Sequence, residues 1–326
     1  MFLIKTPKVK ILAVTDIMKK AVIILVLLIV IGFIPFQQHS SINIRSNYFD
    51  VCQQLISPDS WKRWQPDIRD KFNAANNSKV TADSTGFLIS IPGQVFNVKN
   101  TNGNKFSVVR TVNFIDHHYA YTVMPDAENN NATVYIDVKN NVVKWLFSQF
   151  DPAEKNGDII QQLKGFMEDA KQYYGFDISE KSVAESYLAV KKETIPAKNK
   201  YPAIINAAKE LHVFIDQHHV KAVQALAGAY YSQKNDSLQI LIGIPVNKQV
   251  APSANIVFMN MPGGKVLVGD YNGKYGERQK IYSAMEKYIR DHSLLKQVAP
   301  FERYLNNKVP ESDSDLVNMQ VNYPVL

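Results

Sequence analysis

The chain has 326 residues, 46% of them hydrophobic and 21% charged, with 14 Gly, 15 Pro and one Cys. That length accommodates about two domains with cores of their own, and the composition excludes collagen, coiled coil and wholesale disorder. A lone cysteine excludes an internal disulfide framework and a Cys-based zinc cluster.

A formal charge of +7 would suggest a nucleic-acid partner if it were spread over a folded surface. It is concentrated instead: residues 1–36 hold Lys5, Lys8, Lys10, Lys19 and Lys20 against Asp16, a net of +4, which leaves +3 for the rest. The lysines precede an uncharged run, Ala21-Val-Ile-Ile-Leu-Val-Leu-Leu-Ile-Val-Ile-Gly-Phe-Ile-Pro-Phe36. As a helix this run extends about 24 Å, a little short of a ~30 Å hydrocarbon core, and Lys19 and Lys20 can snorkel at its end. The expectation is a signal-anchor helix over residues 21–36, with the N-terminus cytoplasmic and the following domains extracytoplasmic, on the periplasmic side. A cleaved signal peptide is the alternative, but Pro35-Phe-Gln-Gln-His-Ser40 lacks a small-x-small site. Met18-Lys-Lys offers a second possible start besides Met1. Cys52 reads as a small buried hydrophobe on a helix.

After a tether at Gln37–Ser41, a brief strand is predicted from Ile42, then a helix over Tyr48–Ile56. Ser57-Pro-Asp-Ser-Trp-Lys-Arg-Trp-Gln-Pro66 reads as a capped helix start. Strands follow at Gly86–Ile91, Gln94–Lys99, Lys105–Phe114, Tyr119–Met124, Ala132–Val138 and Val142–Ser148, separated by Asn, Asp, Gly and Pro turns. Val134, Ile136 and Val138 alternate with polar neighbours, marking one buried face. Asp151-Pro-Ala-Glu154 is arranged as a capping box. From Ile159 to Tyr174 the apolar residues recur at three and four, predicting one long helix that Gly175 stops.

This order, with the Trp61-x-x-Trp64-x-Pro66 cluster and the long closing helix, resembles the START-like superfamily, also called SRPBCC or polyketide-cyclase-like. The resemblance implies a helix-grip sheet around an apolar ligand cavity. Strand parity puts Arg110, His118, Tyr121 and Asp137 inside it, and Trp61 and Trp64 read as packing.

Residues 177–326 repeat an order of strand, helix, strand, strand. The first copy is Val183–Ile195, Tyr201–His218, Gly228–Ser232 and Leu238–Val246; the second is Ala254–Tyr271, Tyr275–Leu294, Phe301–Asn306 and Val317–Val325. Both end alike, in Ile242-Gly-Ile-Pro-Val246 and Val321-Asn-Tyr-Pro-Val325. The second copy resembles the gyrase-inhibitor-like domain, the effector-binding module of AraC-type and multidrug-sensing MerR-type activators. The resemblance rests on Met261-Pro-Gly-Gly264, Val266-Leu-Val-Gly-Asp-Tyr-Asn-Gly273, Pro300-Phe-Glu-Arg-Tyr304 and the terminal Tyr-Pro-Val.

In that family the ligand lies between the repeats, among aromatic rings and a buried Glu four residues before the final Pro, which attracts lipophilic cations. Gln320 stands at that place, so the charge is lost there. Glu302, on a neighbouring strand, is either its replacement or a solvated edge carboxylate. Tyr231, Phe258, Tyr271, Tyr275 and Tyr304 are candidate ligand-facing aromatics. The pairs His117-His118 and His218-His219 diverge on their elements and make poor metal ligands. No P-loop, GxGxxG, HExxH, nucleophile elbow or helix-turn-helix is present, so no cofactor, metal or nucleic acid is expected.

The expected protein is α+β: an anchor segment (1–36), a START-like domain (40–176) and a duplicated effector-binding domain (177–326). It would bind small apolar or amphipathic molecules near a membrane, with no catalytic residue assigned. A hydrolase or cyclase acting in one of the cavities, and a non-catalytic scaffold, are the alternatives; the residues name no protein partner.

Overall fold

The computed structural model describes residues 19–24, 32–72, 77–126, 130–143, 159–232, 236–253 and 255–326. The chain divides into two compact units, Met1–Phe166 and Met167–Leu326.

In the first unit, β1 (Pro35–Ile44), α1 (Tyr48–Ile56), α2 (Pro58–Trp64) and α3 (Pro66–Phe72) precede β2 (Lys79–Ala82), β3 (Gly86–Ile91), β4 (Gln94–Asn100), β5 (Lys105–Val112), β6 (Ile115–Asp126) and β7 (Asn131–Asn141). The strands form one antiparallel sheet in the order β1-β7-β6-β5-β4-β3-β2. The expected brief strand at Ile42 is a ten-residue strand paired with β7 from Pro35↔Asn141 to Ile44↔Ala132. It absorbs the tether and the last two residues of the expected anchor, because β7 offers a full ladder for them to join. Residues 25–31 of that anchor lie outside the described residues, and no helix among the described residues is long and apolar enough to cross a membrane. The strand expected at Val142–Ser148 is not formed at 142–143, which are helical; residues 144–148 and the Asp151–Glu154 capping box lie outside the described residues.

Local chemistry explains the helices. Asn47 caps α1 by accepting from Asp50 N at 3.0 Å, and Ser57 caps α2 with Pro58 in its first turn. Trp61 donates its indole N–H to Leu55 O at 2.9 Å and Trp64 to Gln54 O at 3.3 Å, so the tryptophans satisfy carbonyls that the end of α1 leaves open. Both are buried, as packing residues. Arg110 is buried on β5, with Asp67 at 2.9 Å and Gln94 at 3.0 Å, and Tyr121 is buried on β6. His118 and Asp137 face the other way: His118 is exposed, and Asp137 meets His39 on the outer side of the β1–β7 pair. Alternation rules out the full set: His118 and Tyr121, three apart on β6, take opposite faces, and Asp137 alternates with the buried Val134 and Ile136 on β7.

The single closing helix is broken in two, α4 (Ile159–Glu168) and α5 (Ala170–Tyr174). Asp169 causes the break, since its carboxylate accepts from Gln172 N at 3.1 Å and caps the second piece. Gly175 ends α5 in the left-handed region, at φ 83°.

The second unit contains β8 (Ile178–Val183), β9 (Ser186–Pro196), α6 (Lys200–Gln217), β10 (Ala227–Ser232), β11 (Ser237–Val246), β12 (Ile256–Met261), β13 (Gly264–Lys274), α7 (Gln279–Asp291), β14 (Phe301–Tyr304) and β15 (Leu316–Val325). They build an antiparallel sheet ordered β12-β9-β11-β10-β14-β15-β13-β8. The repeat is therefore strand, strand, helix, strand, strand: the predicted Ala254–Tyr271 is two strands, and β8 precedes the predicted Val183–Ile195, which forms β9. The leading strands are exchanged: β8 of the first copy pairs with β13 of the second, and β12 with β9 of the first. Only β10 and β14 join the copies at the centre, through Ala227↔Arg303 and Gly228↔Glu302.

Helices α6 and α7 pack on one face of this sheet. Ile204, Leu211 and Ile215 of α6 and Ile281, Met285 and Ile289 of α7 share a core with Ile240, Ile242, Leu267, Met319 and Val321. The alternate strand residues form the opposite face.

Candidate functional site

The site begins at the sheet's centre. Along β14, Glu302 and Tyr304 point to the helix face, while Phe301 and Arg303 point away. Glu302 is 1% exposed. A carboxylate so placed needs partners, and it has four. Its Oε2 accepts from the hydroxyls of Tyr275 at 2.9 Å and Tyr304 at 2.6 Å; its Oε1 accepts from Tyr282 at 3.1 Å and from Arg278 Nε at 3.0 Å. Since Tyr304 spends its proton on Glu302, the hydroxyl of Tyr230, 2.5 Å away, donates to Tyr304. Burial first, and then the neighbouring charge of Glu302, hold the hydroxyls of Tyr230 and Tyr282 above the usual tyrosine range. For Tyr275 and Tyr304 burial is again the leading cause, followed by Tyr230 and Glu302. All four hydroxyls stay protonated and serve as donors.

Gly228 faces Glu302 across the central pair, and its lack of a side chain is required. A Cβ there would lie 2.4 Å from the Tyr230 hydroxyl. The glycine lets Tyr230 reach over to Tyr304.

Two cations complete the cage. Arg278 lies over the Tyr275 ring, its guanidinium carbon 3.9 Å from the centroid. Lys200 Nζ stands 4.6 Å from the Tyr275 centroid, 5.1 Å from that of Tyr201 and 5.3 Å from that of Tyr230. Each cation follows a short 3-10 turn at a helix start, Ala197–Asn199 before Lys200 and Tyr275–Glu277 before Arg278. Burial, then repulsion from Arg278, lowers the Lys200 pKa to about 8, against smaller upward pulls from Glu302 and Asp313.

Residues 176–323 match the family described as the GyrI-like small molecule binding domain. The C-terminal half is a GyrI-like domain. Among solved structures, the EcmrR C-terminal domain aligns at 17% identity over 46% of this chain and 98% of its own, with a TM-score of 0.39. SAV2435 bound to tetraphenylphosphonium aligns at 15% identity over 46% of this chain and 94% of its own, TM-score 0.31. A START superfamily protein from Mycobacterium smegmatis aligns at 10% identity over 40% of this chain and 97% of its own, TM-score 0.29. No curated protein matches the chain.

Within the GyrI-like domain, three of the residues singled out from sequence meet in the cage: Glu302, Tyr275 and Tyr304. The other four lie elsewhere. Gln320 gives its amide to Asp270 at 2.9 Å and, between buried Met319 and Val321, belongs to the face away from the helices. Tyr231 lines a cavity on that same face. Phe258 packs on Phe214 from the edge strand β12, with ring centroids 6.1 Å apart. Tyr271 donates to Lys274 O at 2.6 Å and lies beside Phe176. Sequence reasoning missed Lys200, Tyr230, Arg278 and Tyr282. The strand register gives Tyr230 the place of Tyr304, since Tyr230 pairs with Ile240 as Tyr304 pairs with Met319, and Lys200 follows its 3-10 turn as Arg278 follows the other; loops of unequal length hide the first match from the sequence.

Chemically, the cage suits binding better than proton transfer. The oxygens of Glu302 are already engaged by protein donors, and phenols raised by burial are weak acids near neutral pH. Ring faces around a desolvated carboxylate hold cations, and here the protein's own cations occupy them.

Proposed function

We propose that this protein is a small-molecule binding protein whose GyrI-like domain admits a lipophilic cation to the place held by the Lys200 ammonium. The observation that carries the reading is Glu302, buried and saturated by three tyrosines and Arg278. Glu302 would take the role that the sequence resemblance assigns to position 320. Lys200 is the exchangeable member: it makes ring contacts, its charge is disfavoured by burial, and as the first residue of α6 it can swing outward.

Calorimetric titration of the full chain with tetraphenylphosphonium tests this. Lys200→Ala, which removes the internal competitor, should tighten binding roughly tenfold, the worth of one or two cation–π contacts. Glu302→Gln should abolish it. Weaker binding in Lys200→Ala would falsify the exchange.

We further propose that the segment beginning at Ala21 anchors the chain in a membrane, with both domains extracytoplasmic. The reading is supported by the lysine-rich flank and by the exposure of Val22, Ile23, Ile24, Phe33 and Ile34, each more than half exposed. Alkaline carbonate extraction of membranes from cells making the full chain should leave it in the pellet, and its appearance in the soluble fraction would overturn the anchor.

A further inference from the structure

The sheet face opposite the helices carries a cavity of about 370 Å³, lined by Leu188, Val190, Leu241, Met259, Phe301 and Arg303 among others. That volume falls within the range of small-molecule sites, about 300–1,000 Å³. Its described lining residues include no Asp or Glu, and its only charged members are Lys265 and Arg303.

The two cations differ. Lys265 approaches Glu180, 4.0 Å away. Arg303 has no ion-pair partner among the described residues, and its Nε is buried without a hydrogen bond. Its cross-strand neighbours explain this. Ala227 on β10 offers no acceptor side chain, and Gln320 on β15 has turned its amide to Asp270. Burial alone lowers the Arg303 pKa, but a guanidinium remains charged at neutral pH. A buried guanidinium N–H with no acceptor is costly unless something accepts from it.

We propose that this cavity binds an amphipathic anion, a monocarboxylate with an aliphatic tail. The carboxylate accepts from Arg303, whose planar fork suits it, and the tail lies against Leu188, Val190, Leu241 and Met259. A cation has no carboxylate to meet there. The site uses the opposite face of the sheet from the Glu302 cage and does not depend on the cation reading.

Titration of the full chain with octanoate, octanol and octyltrimethylammonium tests the assignment with one tail and three heads. Octanoate should bind at least roughly tenfold tighter than the other two, as expected for a charge-assisted hydrogen bond. Arg303→Gln should reduce octanoate to the level of octanol while leaving octanol and tetraphenylphosphonium unchanged. Ala229→Leu, which intrudes on the cavity and keeps Arg303, should lose octanoate and octanol together. Equal binding of the three heads to the natural chain overturns the proposal, as does octanoate preference that survives Arg303→Gln. If Arg303→Gln does not fold, octanoate binding retained in Ala229→Leu overturns it instead.

Discussion

The two repeats of the GyrI-like domain share their framework and differ where they touch. Both helices end on a histidine whose Nδ1 meets the carbonyl four residues back, His218 to Phe214 O at 2.9 Å and His292 to Tyr288 O at 3.0 Å. Both then pass through a left-handed residue, His219 at φ 49° and Ser293 at φ 53°. At the centre the likeness stops. Gly228 pairs with Ile242 as Glu302 pairs with Val321, so the first copy holds Gly228-Ala229 where the second holds Glu302-Arg303. Because side chains alternate across a strand, one small pair makes room on both faces for one charged pair. The repeated framework brings the two pairs together, and the small pair in one copy leaves room for the charged pair of the other.

The comparison breaks most severely at Glu302. Glu302→Gln leaves Arg278 without its carboxylate and should cost about 3 kcal/mol, the lower end for a broken buried ion pair, since Arg278 is partly exposed. Urea denaturation of the full chain reads this as a lowered midpoint for the C-terminal transition. A loss below 1 kcal/mol would show that the phenols alone hold the cage.

Next in size is Gly228→Ala. The added methyl displaces Tyr230 from Tyr304 and should cost about 1–3 kcal/mol, the usual range for overpacking. Pairing it with Tyr230→Phe sharpens the reading. If the cost comes from the Tyr230 hydroxyl, the double variant should cost clearly less than the two singles together.

Much of the architecture was legible because it is written locally. The helix read over Tyr48–Ile56 is α1, and the β-rich runs either side of the Pro92-Gly93 turn form the hairpin of β3 and β4. The duplication shows in the two Pro-Val endings. What stayed hidden depends on contacts distant in sequence. β14 is four residues long and reads as an edge, yet strand exchange places it between β10 and β15, so Glu302 is enclosed and not solvated. Tyr230 and Tyr231 divide between the cage and the opposite cavity for a related reason: adjacent residues alternate, and only the packed helices say which face is which. Gln320 could have been placed from its neighbours, since Met319 and Val321 are the apolar members of its strand.

Lys200 breaks a local rule, because a cation at a helix start opposes the dipole. Its folded pKa, about 8, lies below the free-lysine value of 10.5. The unfolded chain therefore binds more protons between those values, and stability rises with pH there as the penalty for the buried charge disappears. Lys200→Met should stabilise the domain at pH 7 by on the order of 1 kcal/mol, discounted for partial solvent screening, with the advantage shrinking between pH 8 and 10. A difference that does not change with pH would remove Lys200 from the cage's electrostatics.

The smallest expected effects test the shared framework. Since a carbonyl oxygen can only accept, the Nδ1 contacts of His218 and His292 fix the proton on that nitrogen in both copies. Each ring also lies against its partner, tilted by 31° with centroids 4.2 Å apart for Phe214–His218 and stacked at 3.9 Å for Tyr288–His292. His218→Ala and His292→Ala should each cost about 0.5–1 kcal/mol, the worth of one hydrogen bond at a helix end. The two sites share no partner, so the double variant should lose the sum of the two. Equal, additive losses here beside unequal ones at Gly228 and Glu302 would place the divergence of the repeats at their junction. Strongly unequal losses would mean that the copies had drifted apart at their ends as well, and the asymmetry at the centre would then need no functional explanation.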